Sequence, residues 1–231
     1  LMKQNLIPNP NNGQSNDSRK QLSLNGELII DTTVFLNNFE VTMTAGSKIT
    51  VAENGHLGLW GCNLNTCGGM WKGIQVEEGG TLYMHKEYTN PSVTFYNTIE
   101  DAEFGINAMP NSNLSLDYTR FFNNYIGINI GFLPSDNELF NINLSRAQNL
   151  EFYSKGVFEP KYNGQTTAPN NRSYCGINLV NVPLVNLGGC TFKDMSNGII
   201  AKNSSLNING GTFINLNYKN YDIYGNGIFA T

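Results

Sequence analysis

A glycine followed by an isoleucine recurs six times in this chain, each time within a stretch of alternating residues. The interval from Gly105 to Gly127 equals that from Gly176 to Gly198, which indicates a period of about 22 residues. The six copies are Gly73-Ile74, Gly105-Ile106, Gly127-Ile128, Gly176-Ile177, Gly198-Ile199 and Gly227-Ile228. A period of this length is typical of repeat proteins, in which each unit buries its apolar face by stacking on its neighbours.

The alternation around each copy has period two, which predicts strands rather than helices. In the third copy, Ile126, Ile128 and Ile130 are predicted to share one face, with Gly127 and Asn129 on the other. Each copy continues with a second apolar pair and then a strand centred on a phenylalanine. The apolar pairs of the second strands are Leu82 and Met84, Leu114 and Leu116, Val185 and Leu187, and Leu206 and Ile208. The phenylalanines of the third strands are Phe95, Phe121, Phe192 and Phe213.

Three short strands in each repeat predict one coil of an all-β, single-stranded parallel β-helix. Leucine-rich repeats have a similar period, but their L-x-x-L-x-L-x-x-N signature is absent here. The longer intervals between copies predict insertions, and insertions in solenoids usually lie on one face. We therefore predict loops along one edge of the solenoid, at 96–104, 153–174 and 214–226, with a smaller bulge near 85–94.

A polar residue stands two positions after each phenylalanine and shares its predicted inward face. Side chains of this kind can bond backbone groups that are left unpaired where a chain turns. The pattern predicts a stacked ladder at one corner of the coils, although asparagine is also simply common in turns. Its members are Asn97, Asn123, Asp194 and Asn215.

Composition excludes several classes of function. Charged residues make up only 14% of the chain, below the roughly 25% of typical soluble domains. The net charge of −4 argues against nucleic acid as a partner, because protein surfaces that bind nucleic acid are basic. No apolar run approaches the roughly 18 residues of a membrane span, and no cofactor motif is present.

The chain divides into two regions. Residues 1–21 are polar and lack apolar periodicity, which predicts a leader or linker arm. Residues 22–231 are predicted to form the β-helix domain. Because Thr231 closely follows the start of a Gly-Ile strand, we expect this domain to be a fragment of a larger protein.

Two of the four cysteines, Cys62 and Cys67, bracket the short stretch CNLNTC. In a secreted protein this spacing favours a disulfide that closes a turn. Two reduced thiols are the alternative, and the C-x4-C spacing only loosely fits a metal site. Cys175 and Cys190 share the predicted inward face of Ile177 and Phe192, so we expect them to pack as small apolar residues.

The stretch from Gly46 to Met84 resembles large secreted and surface proteins of Bacteroidota that carry right-handed parallel β-helix repeats. The resemblance is carried by the SKITV strand, by Gly61-Cys62 to Cys67, by Met70 to Val76, and by Ile99 to Ile106. It covers about residues 25–231 and implies a right-handed β-helix in an extracellular setting. The family supplies no catalytic motif.

Parallel β-helices also host polysaccharide lyases and glycoside hydrolases, which need clustered acids or two carboxylates about 5–10 Å apart. Acids crowd one stretch at Glu100, Asp101 and Glu103, while Asp117 and Arg120 lie one coil further on. None recurs at an aligned position in neighbouring coils. If the chain is an enzyme, the predicted catalytic residues are Asp101, Glu103, Asp117 and Arg120.

A binding role has more support, because the predicted loops are rich in tyrosine. Exposed tyrosines combine a large contact area with a hydroxyl, which suits sugars and protein partners. The alternative is that each ring covers its own loop. The predicted ligand-binding residues are Tyr153, Tyr162, Tyr174, Tyr218, Tyr221 and Tyr224.

The sequence thus predicts an extracellular structural and adhesive segment of a surface protein or filament. Its expected partners are other segments or copies of the same protein, and a glycan or another cell-surface ligand. No metal or cofactor is predicted. The alternative is a polysaccharide lyase or glycoside hydrolase on the same scaffold.

Overall fold

The computed structural model of the chain describes residues 19–86, 96–131, 142–154, 173–216 and 226–231. Strands are the regular elements of these ranges, and none of the ranges contains a helix long and apolar enough to cross a membrane. The strands in chain order are β1 (Lys20–Leu24), β2 (Glu27–Ile30), β3 (Thr33–Asn37), β4 (Phe39–Thr44), β5 (Lys48–Val51), β6 (His56–Trp60), β7 (Asn63–Cys67), β8 (Gly73–Val76), β9 (Thr81–His85), β10 (Asn97–Glu100), β11 (Phe104–Ala108), β12 (Asn113–Asp117), β13 (Thr119–Phe122), β14 (Ile126–Ile130), β15 (Asn143–Gln148), β16 (Glu151–Tyr153), β17 (Cys175–Val180), β18 (Val185–Lys193), β19 (Asn197–Lys202), β20 (Leu206–Ile214) and β21 (Asn226–Ala230).

Each coil contributes strands to three parallel rows. The first-strand sheet has eight strands in the order β2-β5-β8-β11-β14-β17-β19-β21. The second-strand row contains β3, β6, β9, β12 and β15, and the third-strand row contains β1, β4, β7, β10, β13 and β16. In later coils the long strands β18 and β20 run through both rows and join them into one 13-stranded sheet. The predicted parallel β-helix is confirmed.

Like residues form columns through the interior, as the repeat predicts. In the first-strand sheet the aligned isoleucines are Ile49, Ile74, Ile106, Ile128, Ile177, Ile199 and Ile228. All but Ile228 are nearly inaccessible to solvent. Eight parallel strands at the usual spacing of about 4.8 Å give this sheet a length of about 34 Å.

Phenylalanine rings stack along the third-strand row. Phe152 lies between Phe121 and Phe192, with its ring centroid 4.8 Å from each, and Phe213 continues the stack at 5.0 Å from Phe192. Phe152 was not among the predicted column phenylalanines. The predicted Phe95 lies outside the described residues, and in that coil Ile99 pairs with Phe121 and occupies the column instead.

The recurring glycines face this stack. A Cβ on Gly127 would lie 2.5 Å from the carbonyl oxygen of Gly176 and 2.6 Å from the Phe152 ring. Gly105, Gly176 and Gly198 would meet the phenylalanine of their own coil in the same way. Glycine recurs at these positions because the neighbouring first strand and the phenylalanine ring lie too close to leave room for a side chain.

The inward-facing glycine determines which face of the strand the residues next to it occupy. Gly127 points to the interior, so Ile126 does not share a face with Ile128, contrary to the prediction. Ile126 packs instead with Cys175 and Ile200 in a separate small cluster. Cys175 and Cys190 both pack as small buried apolar residues, as predicted, but Cys175 lies in the Ile126 cluster and does not share the face of Ile177.

The coils turn at residues with left-handed backbone conformation. Asp101 and Asn123 have φ of 54° and 56°, and the Asn123 amide donates a hydrogen bond to the Asp101 carboxylate. Asn215 donates to Asp194 over 2.9 Å. The polar ladder is therefore present, but its predicted member Asn97 is wrong. Asn97 pairs with Thr119, so Asp101 takes that place.

The insertions do not lie on a single edge. Residues 96–104 were predicted as a loop but contain β10 and the start of β11. The stretches outside the described residues follow a second strand at 87–95, a first strand at 132–141, and third strands at 155–172 and 217–225. Additional chain length thus follows a first, a second and a third strand, which differs from the predicted single edge; the loops predicted at 153–174 and 214–226 and the bulge near 85–94 lie largely outside the described residues.

The predicted disulfide between Cys62 and Cys67 is not formed, because both cysteines are free thiols. The residues between them form strand β7, not a turn. Extended chain between these two positions separates their Cα atoms by about 16 Å, whereas a disulfide requires less than about 7 Å. Cys62 is buried in the core and Cys67 is exposed.

Candidate binding groove

The outer face of the third-strand row carries two columns of polar and aromatic side chains. Phe121 and Phe152 point inward, so the residues on either side of each point outward. Register pairs Thr98, Arg120 and Glu151 in one column, which we call the polar column. It pairs Phe122 with Tyr153 in the other, the aromatic column.

These columns border a groove of about 390 Å³. Among the described residues it is lined by Thr98, Arg120, Phe122, Glu151 and Tyr153. The volume falls within the range of about 300–1,000 Å³ that is usual for ligand pockets. All five residues belong to β10, β13 and β16, so paired strands rather than loops set the spacing between them.

Arg120 is held from two sides. Its Nε donates to Oε2 of Glu151 over 2.7 Å, and its guanidinium carbon lies 4.0 Å from the centroid of the Tyr96 ring. The side chains of Arg120 and Glu151 remain 44% and 26% exposed. A pair this exposed adds only about 0–1 kcal/mol to stability. Its effect is to orient the guanidinium and the carboxylate relative to each other.

Aromatic residues extend the surface toward the corner between the second and third rows. The rings of Tyr96 and Tyr118 lie 5.7 Å apart in a tilted arrangement. The Lys86 ammonium lies 4.2 Å from the centroid of Tyr118. The two tyrosines therefore form a pair beside the groove with a cation at each end, and each cation is stabilised by the face of one ring.

Tyr153 presents a neutral phenol to the groove. Burial raises the pKa of Tyr153 above its ordinary value, and the carboxylate of Glu151 raises it further. Both effects disfavour a phenolate, so the hydroxyl remains able to donate a hydrogen bond at neutral and mildly alkaline pH.

The four predicted catalytic residues do not form one site. Asp101 and Glu103 are buried at the corner between β10 and β11. Asp117 is 1% exposed at the end of β12, where Asn149 donates to it over 3.1 Å. Its other oxygen lies 3.3 Å from Arg146, in an ion pair without hydrogen-bond geometry. Of the four, only Arg120 lines the groove.

The predicted tyrosines are also divided. Tyr153 lies in the groove, whereas Tyr174 stacks on Tyr125 at 5.8 Å beside the Ile126 cluster. The remaining four, Tyr162, Tyr218, Tyr221 and Tyr224, lie outside the described residues. Within the part of the chain that the structure describes, no three His, Cys, Asp or Glu side chains gather in a way that could hold a metal ion.

Three groove residues were missed in the sequence: Thr98, Phe122 and Glu151. A signal for two of them was present. Arg120-Phe121-Phe122 and Glu151-Phe152-Tyr153 both place a charged residue before the column phenylalanine and an aromatic residue after it. Once Phe152 is recognised as a column residue, the two outer columns follow from strand alternation.

Comparison with protein-family models, with curated proteins and with solved structures finds no match for this chain.

Proposed function

We propose that this chain is a structural and adhesive segment of an extracellular surface protein or filament, which attaches to a ligand through the groove on its third-strand row. The observation that carries the proposal is the pairing of an oriented Arg120–Glu151 ion pair with the aromatic residues Phe122 and Tyr153. Aromatic rings and a preorganised guanidinium are characteristic of recognition surfaces.

The scaffold suits this role. Every described strand pairs in parallel with its neighbours, so side chains on the outer face keep fixed positions along the stack. Groups held on strands are positioned more accurately than groups on loops, and less entropy is lost when a ligand binds. The extracellular setting and the filament rest on the resemblance to Bacteroidota surface proteins and on the stacked, sparsely charged architecture.

The proposal is tested by adhesion. Beads coated with the chain are applied to bacterial cells, host cells and extracellular polysaccharide films, and the bound beads are counted under flow. Arg120→Ala and Tyr153→Ala should each reduce attachment strongly, because Arg120→Ala removes the cation of the polar column and Tyr153→Ala removes a ring of the aromatic column.

Phe35→Ala is the matched control. Phe35 is a 60% exposed aromatic residue on β3, in a different row, so its removal tests for non-specific adhesion by exposed rings. Equal loss of attachment in all three variants, or attachment of the unaltered chain to none of the surfaces, would refute a groove-mediated adhesive function.

A polysaccharide lyase or glycoside hydrolase is the second candidate, and the carboxylate of Glu151 beside Arg120 is the observation in its favour. Support is weaker because Asp101, Glu103 and Asp117 are buried at two corners outside the groove lining. Release of new reducing ends from polysaccharides, abolished by Glu151→Gln, would establish the enzyme and displace the adhesive proposal.

A further inference from the structure

We infer that the groove recognises an uncharged oligosaccharide, with sugar rings against the aromatic column and hydroxyl groups between Arg120 and Glu151. The inference rests on the proposed adhesive function and specifies its ligand. It is drawn from the hydrogen-bonding capacity and charge of the described lining residues and from the pairing of the strands that carry them.

The polar column offers donors and acceptors side by side. The contact between Arg120 and Glu151 engages Nε, while a guanidinium carries four further N–H donors on its terminal nitrogens. A carboxylate has about four lone-pair positions, so Glu151 retains capacity after accepting from Arg120. Neighbouring hydroxyls of a sugar each donate and accept, and therefore complement the remaining donors of Arg120 and the remaining acceptor positions of Glu151, which the 2.7 Å contact between the two side chains holds side by side.

The aromatic column lies beside these groups. Phe122 and Tyr153 are register partners on adjacent strands, about 4.8 Å apart. They stand two residues after Arg120 and Glu151 on the same strands, which is about 7 Å along the strand direction. A pyranose ring spans such a distance, so its C–H face can contact the rings while its hydroxyls reach the polar column.

Charge selects against acidic and basic ligands. Arg120 and Glu151 cancel each other, so the described residues that line the groove carry no net charge. A ligand carboxylate bound to Arg120 would lie close to Glu151 and be repelled, and a ligand ammonium bound to Glu151 would be repelled by Arg120. An uncharged ligand that hydrogen-bonds to both Arg120 and Glu151 is therefore favoured over an acidic or a basic ligand.

The groove does not suit an extended peptide added as a strand. Such binding requires an open sheet edge. Strand β13, at the centre of the groove, already pairs with β10 on one side and β16 on the other, so its backbone is not available. Recognition must use side chains on the outer face, which fits a sugar chain lying across the strands.

The inference is tested by calorimetric titration of the chain with neutral gluco-, manno- and galacto-oligosaccharides, and with uronic acid oligomers of the same length. A neutral oligosaccharide should bind more tightly than every uronate. Arg120→Lys should weaken that binding about tenfold or more, because it keeps the charge but loses the planar donors. Glu151→Gln should weaken neutral binding and raise the affinity for uronates, because it removes the repelling charge.

Thermal unfolding of each variant verifies that the fold is kept, and Phe35→Ala should leave affinity unchanged. The inference would be overturned if uronates bound the unaltered chain more tightly than neutral oligosaccharides. It would also be overturned if Arg120→Lys bound the neutral oligosaccharide with the same affinity as the unaltered chain. Bead attachment that needs Arg120 and Tyr153 but is not inhibited by any neutral oligosaccharide would overturn this inference alone. Absence of both attachment and oligosaccharide binding would overturn the adhesive function as well.

Discussion

At the scale of single residues, the corners of the coils explain why asparagine is so frequent. Eleven described residues other than glycine have positive φ, and all but Tyr118 are Asn or Asp. These side chains tolerate the left-handed conformation and bond nearby backbone groups. Asn124 also bonds the backbone at a corner, since its Oδ1 accepts from the Ala102 amide and its Nδ2 donates to the Ile99 carbonyl.

The cysteines give a first prediction at this scale. Cys67 is exposed, whereas Cys62, Cys175 and Cys190 are buried, and burial raises the pKa of all three buried thiols. Titration with a thiol reagent should therefore detect one reactive thiol in the native chain and all four in denaturant, because the thiolate is the reactive form. Cys67→Ser should abolish the native signal. Fewer than four thiols in the denatured, unreduced chain would reveal a disulfide.

His85 gives a pH-dependent prediction. Burial lowers the pKa of His85; the nearby Asp117 carboxylate opposes this effect and the Arg146 guanidinium adds to it. The unfolded chain therefore takes up a proton at His85 more readily than the folded chain. The stabilisation is present above the unfolded pKa of about 6.5, and it is lost as pH falls from there through the lowered folded pKa.

Urea unfolding at about pH 7.5 and about pH 5.5 measures this effect on either side of the ordinary histidine pKa. The free energy of unfolding should fall more between the two values in the unaltered chain than in His85→Gln, which lacks the titrating group. An identical fall in both proteins would show that His85 does not couple folding to protonation.

At the scale of elements, a glycine on the first strand faces a phenylalanine on the third strand in the coils that begin with β11, β14, β17 and β19. The Phe152 ring stacks on Phe121 and on Phe192 with interplanar angles of 9° and 2°. The three rings fill the space that the absent side chains of Gly105, Gly127 and Gly176 leave open. The packing of the glycine and that of the phenylalanine therefore depend on each other, and a substitution at either position disturbs the other.

Gly127→Ala should lower the free energy of unfolding by about 1–3 kcal/mol, because the new methyl group clashes with the Phe152 ring and the Gly176 carbonyl. Gly188→Ala is the matched control, since its Cβ would meet only Gln148 at 3.4 Å. That change should cost less than about 1 kcal/mol. Urea unfolding measures both, and equal losses would contradict the close-packed glycine column.

At the scale of the whole molecule, stability is distributed along a stack in which each coil contacts only its neighbours. Strands β11 and β14 have partners on both sides, whereas β20 and β21 have one described neighbour each. The last coil is also less buried, since Ile214 and Ile228 are 39% and 46% exposed. Opening from an end should therefore cost less than opening at the centre.

Hydrogen exchange followed by mass spectrometry tests this gradient in the full chain. After correction for the exchange rates of the denatured chain, amides of β11 and β14 should exchange at least about ten times more slowly than those of β20 and β21. Uniform protection along the chain would instead indicate a single cooperative unit.

The sequence by itself determined the period, the three strands of each coil and most of the interior columns. These features are local: alternation has period two, and a glycine-isoleucine pair marks the first strand wherever it occurs. In coils without insertions, such as Ile106 to Leu116, local spacing also gave the correct register.

Only the tertiary structure decided which residues become neighbours when a coil departs from the regular repeat length. Phe152 follows Phe121 in the column despite the insertion between them, and Ile99 replaces Phe95, because the extra residues enter at different corners. Strand pairing is non-local, so spacing along the chain cannot show where an insertion falls. The groove depends on this pairing, since Arg120 meets Glu151 only after Phe121 and Phe152 are stacked.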